Sequence, residues 1–296
     1  MSGAVSGTSS HGPGDRRSSV VVSHARRVCV NVLYYGLMSL LAMAFILPLV
    51  WMVSSSLKLE AEVLTVPPSF IPTNPQWQNY AQTFQTIPIF LWNSVHLALI
   101  NVVLLLFFSS LAAYAFARLD FVGRDLAFSL LLSTAMIPSI VYLIPQYIIY
   151  RHIGWIDTHY PLWAPRVLTP VFATFLLRQF FKTIPIELEE AAKIDGASTF
   201  GIYWRIMVPQ VRPAFAAVGM FTFLESWNDL FGPLIFVNSI NLETLPVALA
   251  LYHGQFFTQT NVLMAAATVT IIPVLILFIF LQRYFIQGIT LTGLKG

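Results

Sequence analysis

From Val28 to Leu57 the chain runs thirty residues without a single Asp, Glu, Lys or Arg. Wound as a helix at about 1.5 Å per residue, such a run exceeds the ~30 Å hydrocarbon core of a bilayer. Five further stretches repeat the pattern with few charges: Phe90 to Ala117, Leu126 to Tyr150, Pro161 to Phe181, Ala214 to Val237 and Met264 to Phe285. Each is too long for a barrel strand of about 10 residues and lacks period-two alternation. Helices satisfy their backbone internally, as lipid requires. Composition agrees: 57% of the 296 residues are hydrophobic, 10% are charged and the mean hydropathy is +0.73. Soluble domains carry roughly 25% charged residues, so this chain has too few to clothe a globular surface. The sequence predicts an all-α integral membrane protein with six transmembrane helices.

The basic residues orient it. With the N-terminus in the cytoplasm, the cytoplasmic segments collect Arg16, Arg17, Arg26, Arg27, Arg118, Arg124, Arg178, Lys182, Lys193, Arg205, Arg212, Arg283 and Lys295, leaving Lys58, Arg151 and Arg166 outside, a division of 13 to 3. That asymmetry predicts both termini in the cytoplasm. It also accounts for the formal charge of +3 and pI near 9.0 without nucleic acid. Residues 1–27, rich in Ser, Gly and Arg, read as a disordered cytoplasmic tail. A cleaved signal peptide at Ala42-Met43-Ala44 is disfavoured, because the apolar run continues well past it. The loop from Lys58 to Ile87 is proline-rich and carries Trp77 and Tyr80; it either meets a partner outside the cell or covers the top of the bundle.

Catalytic machinery is not evident. Cys29 is the lone cysteine, which excludes an intrachain disulfide or a cysteine metal cage. No lysine follows a glycine, so there is no phosphate-binding loop, and the histidines at 11, 24, 96, 152, 159 and 253 are scattered. His96 reads as a hydrogen-bonded interior residue, and Arg166 and Arg178 as snorkelling ends of the fourth span. Glu225, Asn228 and Asp229, beside Trp227, interrupt the fifth span near mid-membrane. Lipid disfavours such residues, so they face other helices or a wet cavity. They form either an interhelical hydrogen-bond network or a contact with a bound molecule, with Trp227 packed in the bundle or stacked on a ring of that molecule.

The stretch 183–212 is the longest charged one. Pro185 suits a helix start, the acidic residues from Glu187 complement the dipole there, and Gly196 suits a left-handed cap. Ile184, Leu188, Ala191 and Ala192 would share one face, with Glu187, Glu190 and Lys193 on another. Ser198 can cap a second helix, from Thr199 to Val208, closed by Pro209. The residues alone leave two readings open, a loop lying on lipid headgroups or an element that docks a partner.

Within that hairpin, Glu190-Ala191-Ala192, three residues, Gly196, nine residues, then Ile206 and Pro209 resemble the EAA loop of ABC importer permeases; Val208 stands where Leu is usual. Ala112 to Leu119 with Phe121, Gly123 and Arg124, the Trp227-Asn228-Asp229 and Pro233-Leu234 pair, and Gln282 to Gly296 are similar to carbohydrate-uptake permeases of the maltose type. The resemblance implies a transporter domain over 28–296, the smaller six-helix subunit of a heterodimer with a second permease. It implies two ATPase subunits, which bind ATP and Mg while this chain holds no cofactor, and an extracytoplasmic solute-binding protein. The chain would lie in a prokaryotic inner membrane and would not be an enzyme. ATPase coupling would fall to Glu190, Ala191, Ala192, Asp195, Gly196, Ile206 and Pro209, and the translocation pathway to Glu225, Trp227, Asn228 and Asp229. An ion-coupled secondary transporter is the alternative, disfavoured because no internal repeat is visible.

Overall fold

A computed structural model describes residues 13–67, 69–251 and 259–293, and among them every regular element is helical. His11, His253 and Lys295 lie outside the described residues. The chain divides after Ser54 into two units, residues 1–54 and 55–296.

Among the described residues the first unit is one helix, α1 (Pro13–Ser56), which crosses the division at its last turn. It begins inside the segment read as a disordered tail. Pro13 stands at its first position, where a proline costs no hydrogen bond, and after Gly14 in the first turn no Pro or Gly interrupts the chain before Gly36. Its apolar side chains are exposed along the length of Val30–Leu49, as a lipid-facing helix requires.

The second unit begins with short α2 (Glu60–Val63) and α3 (Gln78–Thr86) and is organised around α4 (Pro88–Arg118). Next come α5 (Arg124–Thr134), α6 (Ser139–His152), α7 (Tyr160–Leu168) and α8 (Val171–Thr183). The hairpin is α9 (Glu187–Ile194) and α10 (Thr199–Ile202), the latter running through a π-turn, Tyr203–Met207, into α11 (Val208–Gln210). Then α12 (Arg212–Trp227), α13 (Phe231–Phe236), α14 (Leu245–Leu251) and α15 (Thr260–Gly293) complete the chain. Helix α4 packs against α7, α8 and α12, and α15 against α12 and α3.

Three helices are long and apolar enough to span, Val30–Ser56, Pro88–Arg118 and Thr260–Tyr284, and up to six if each of three bent pairs counts as one. The third expected span is broken into α5 and α6 with a 94° bend. Pro138 supplies the break, since it offers no N–H and holds Ile137 away from helical geometry. The fourth span breaks at Thr169 and Pro170, and the fifth at Asn228, which ends α12. Neither arginine of the fourth span snorkels. Arg178 is buried, its Nε donating to Phe116 O at 3.1 Å and its guanidinium lying 3.9 Å from the Phe128 ring centre.

The loop before α4 covers that end of the bundle. Asn79 Nδ2 donates to Ser56 O at 2.8 Å and Lys58 O at 3.1 Å, and Asn261 of α15 donates to Lys58 O at 3.1 Å. Lys58 itself is fully buried and reaches Ser69 O. Trp77 remains exposed.

Candidate functional sites: the amphipathic hairpin and the mid-helix ion cluster

The turn of the hairpin is fixed by backbone bonds. Ala197 N–H donates to Ala192 O at 2.9 Å and Gly196 N–H to Lys193 O at 3.0 Å, with Gly196 at φ +79°. This is the Schellman arrangement, which closes a helix over a residue in the left-handed region. Nothing lies within 4 Å of a Cβ built on Gly196, so backbone angle, not space, demands the glycine. Ser198 Oγ then accepts from Gly201 N–H at 3.2 Å and caps the second arm. Pro209 does not close that arm as expected. It lacks the N–H that Arg205 O would receive, the turn before it widens so that Val208 N–H reaches Tyr203 O, and the helix continues to Gln210.

The faces of α9 differ from the expected pattern. Ile184, Glu189 and Ala192 are buried, whereas Leu188 and Ala191 are exposed with Glu187, Glu190 and Lys193. Arg118 is the cause: its guanidinium lies beneath α9 and pairs with Glu189 at 3.0 Å, so the carboxylate turns inward and rotates Leu188 out. Ile206 and Met207 pack into the cluster formed by Tyr114, Leu177, Phe181, Ile202 and Tyr203. The outer face carries Ile186, Leu188, Ile194, Phe200 and Trp204 among acids; Ile194 is 86% exposed. Asp195 and Pro209 fall at its edges, exposed and half-buried. Apolar side chains displayed on a charged hairpin are the composition of a docking surface.

The second site lies about 20 Å along α12 from Arg212, taking 1.5 Å per residue. Arg166 of α7 donates through Nη2 to Asp229 Oδ2 at 2.9 Å and stands 3.8 Å from Glu225 Oε1. Asp229 Oδ1 also accepts from Gly232 N–H at 3.0 Å. A Cβ on Gly232 would meet Asp229 Oδ2 at 2.7 Å, so the glycine leaves room for that carboxylate. Glu225 and Asn228 are exposed, Asn228 Nδ2 folding back onto Leu224 O at 2.8 Å. Trp227 is not brought into this group. It is buried and stacks on Phe223 at 5.4 Å, in the cluster shared with Ala98, Leu245 and Ala266. Sequence reasoning missed Arg166 as the counter-ion; the available signal was a cation and two anions in neighbouring apolar spans. His96 is half-buried between Trp92 and His159, lining a cavity of about 580 Å³ with Tyr160 and Trp163.

A helical chain with long apolar spans, broken helices carrying ions in their middle and a charged, partly apolar hairpin has the build of a polytopic transport component. Comparison with known proteins agrees. Residues 28–291 match the family of binding-protein-dependent transport system inner membrane components, and the chain belongs to that family. It is 36% identical over 261 residues to the sulfoquinovosyl glycerol transport system permease protein SmoH of Agrobacterium fabrum, covering 87% of this chain and 92% of that one. It is 35% identical over 269 residues to the arabinooligosaccharides transport system permease protein AraQ of Bacillus subtilis, covering 89% and 94%. Among solved structures, a bacterial ABC transporter for import of the acidic polysaccharide alginate superposes with a TM-score of 0.75 at 22% identity, covering 94% of this chain and all of that one. The protein is thus an inner-membrane permease component of an ABC importer, a class in which the ATPase is a separate subunit.

Proposed function

We propose that this permease imports a sugar or sugar-like solute as the smaller subunit of a heterodimer, with six spans, both termini in the cytoplasm, and the hairpin 183–212 docked on an ATPase subunit. The observation that carries the coupling assignment is the outer face of α9, where Leu188, Ala191 and Ile194 are exposed beside Glu190 on a segment too charged for the bilayer. The described helices give three to six candidate spans, and the 13 to 3 division of basic residues supports six, with α9 and α10 outside the bilayer. The solute class rests on relatives named for sulfoquinovosyl glycerol and arabinooligosaccharides. A solved alginate ABC transporter was captured with its sugar-loaded periplasmic protein, which supports a solute-binding protein as partner here too.

The translocation pathway passes Glu225, Asn228 and Asp229, with Arg166 added. Glu225 is exposed in the middle of a span, where lipid would penalise it by roughly 2.5–3.5 kcal/mol, so it faces the second permease or the wet pathway. Trp227 supports α12 from behind through Phe223. ATP and Mg bind the two ATPase subunits, and their closure moves the hairpin and reopens the pathway outward. The test is solute-stimulated ATP hydrolysis by the complex reconstituted in vesicles. Sugar-loaded binding protein is expected to accelerate hydrolysis with the wild-type chain, and stimulation is expected to fall sharply with Ala192→Asp but not with Lys193→Ala. Equal, near-normal stimulation for both variants would remove the coupling assignment.

A further inference from the structure

Arg118, the last residue of α4, is buried against Glu189 of α9, with side chains 8% and 4% exposed and Nε 3.0 Å from Oε1. The same guanidinium donates to Phe181 O at 3.2 Å through Nε and 2.6 Å through Nη2, and to Ile184 O. Its Nε–H points at Phe181 O, so the contact with Glu189 is ionic. One side chain therefore holds three elements: the end of α4, the end of α8 and the first turn of α9.

Two further attachments lie on the same stripe of α4. Tyr114 packs its ring on Phe181 at 5.9 Å and on Tyr203 at 5.3 Å, and Ser110 Oγ is 2.7 Å from Tyr203 Oη. Positions 110, 114 and 118 repeat every four residues and share one helical face. Both arms of the hairpin are thereby fixed to α4. Farther along that helix, Asn101 Nδ2 donates to Ser226 Oγ at 2.9 Å, next to Glu225.

We propose that Arg118 and Glu189 form a joint that stays closed throughout the transport cycle, making α4 and the hairpin one rigid lever. Displacement of the hairpin then reaches Asn101, Ser226 and the Arg166–Asp229 cluster through α4. Opening the joint would strand two charges among apolar side chains and free the Phe181 and Ile184 carbonyls, an expensive step to repeat each cycle. This role rests on the hairpin meeting the ATPase. Arg118 and Glu189 are positioning residues, since both are buried away from the outer face.

The test is a covalent replacement in the full complex. With Cys29→Ser as background, Arg118→Cys and Glu189→Cys are combined and joined by a bifunctional thiol reagent of about the side-chain span. Before crosslinking, ATP hydrolysed per solute imported is expected to rise severalfold; after crosslinking it is expected to return towards wild type. This ratio does not depend on how much complex assembles. Arrest of transport on crosslinking would show that the joint must open, and an unchanged ratio before crosslinking would show that it transmits nothing; either overturns the proposal. Should the double variant fail to assemble, Glu189→Gln, which keeps the shape without the charge, is expected to assemble and raise the ratio, and a wild-type ratio there also overturns it. Failure of the underlying coupling reading is distinguishable: the hairpin variants Gly196→Val and Ala192→Asp would then leave ATPase copurification intact.

Discussion

Gly196 carries a demand that only its backbone states. At φ +79° a side-chain-bearing residue pays roughly 1–2 kcal/mol, Asn least among them, and no neighbour would clash with an added Cβ. Gly196→Asn is therefore expected to keep most ATPase copurification and Gly196→Val to lose most of it; equal loss would point to crowding by a partner instead of backbone angle. Ala192 is buried in the cluster of Tyr203 and Phe181, so Ala192→Asp would bury an unpaired carboxylate, whereas Lys193 is exposed. Arg118→Ala would leave Glu189 buried without its counter-charge, a loss of about 3–5 kcal/mol, measurable as a lower melting temperature of the purified permease. The left-handed cap was legible in the sequence because Gly after a short amphipathic helix has one common use. The inward turn of Glu189 was not, because the arginine that draws it lies at the end of a distant helix and periodicity along α9 is blind to it.

At the scale of elements, the apolar stretches located the long and broken helices, while their interruptions needed tertiary context. Pro138 and Pro170 were visible as residues, yet proline is tolerated in membrane helices often enough that a break could not be assigned from sequence. The break at Asn228 is sustained by Asp229, held by Arg166 and by the Gly232 N–H. Gly232→Ala is expected to push the Asp229 carboxylate off Arg166 and lower transport with assembly unchanged, measured as uptake per assembled complex; normal uptake would mean the pair has no part in the pathway. The loop between α6 and α7 docks on the segment after α13 through Asp157, whose carboxylate accepts from Ser239 Oγ at 2.5 Å, Ser239 N–H at 2.7 Å and Asn238 N–H at 2.9 Å. These bonds, that from the Ser239 hydroxyl foremost, hold its pKa below the usual aspartate value. A lowered folded pKa gives stability that is present above the unfolded value near 3.8 and lost as pH falls through the folded one. Local protease sensitivity of residues 153–159 is expected to rise only below about pH 4, and to rise at neutral pH in Asp157→Asn, which keeps the shape but offers one neutral acceptor in place of two anionic ones.

For the whole molecule, the division of basic residues and the placement of the two sites describe one working arrangement. In the proposed topology the hairpin lies on the side rich in Arg and Lys, with the ion cluster midway along α12 and the loop with Trp77 at the opposite end of the bundle. A thiol crosslinker from Gln78→Cys, exposed on that loop beside Trp77, is expected to capture the solute-binding protein; absence of an adduct from every exposed loop position would leave that loop as a cover alone. The central claim, that the exposed apolar face of α9 is where ATP-driven motion enters, has a direct measurement. In a Cys29→Ser chain assembled with its partners, Ile194→Cys and Ala191→Cys are crosslinked in turn, with Trp77→Cys as the control on the far side. Adducts with the ATPase subunit from positions 191 and 194 and none from 77 are expected; an assembled complex in which neither 191 nor 194 reaches the ATPase would contradict the coupling role of the hairpin.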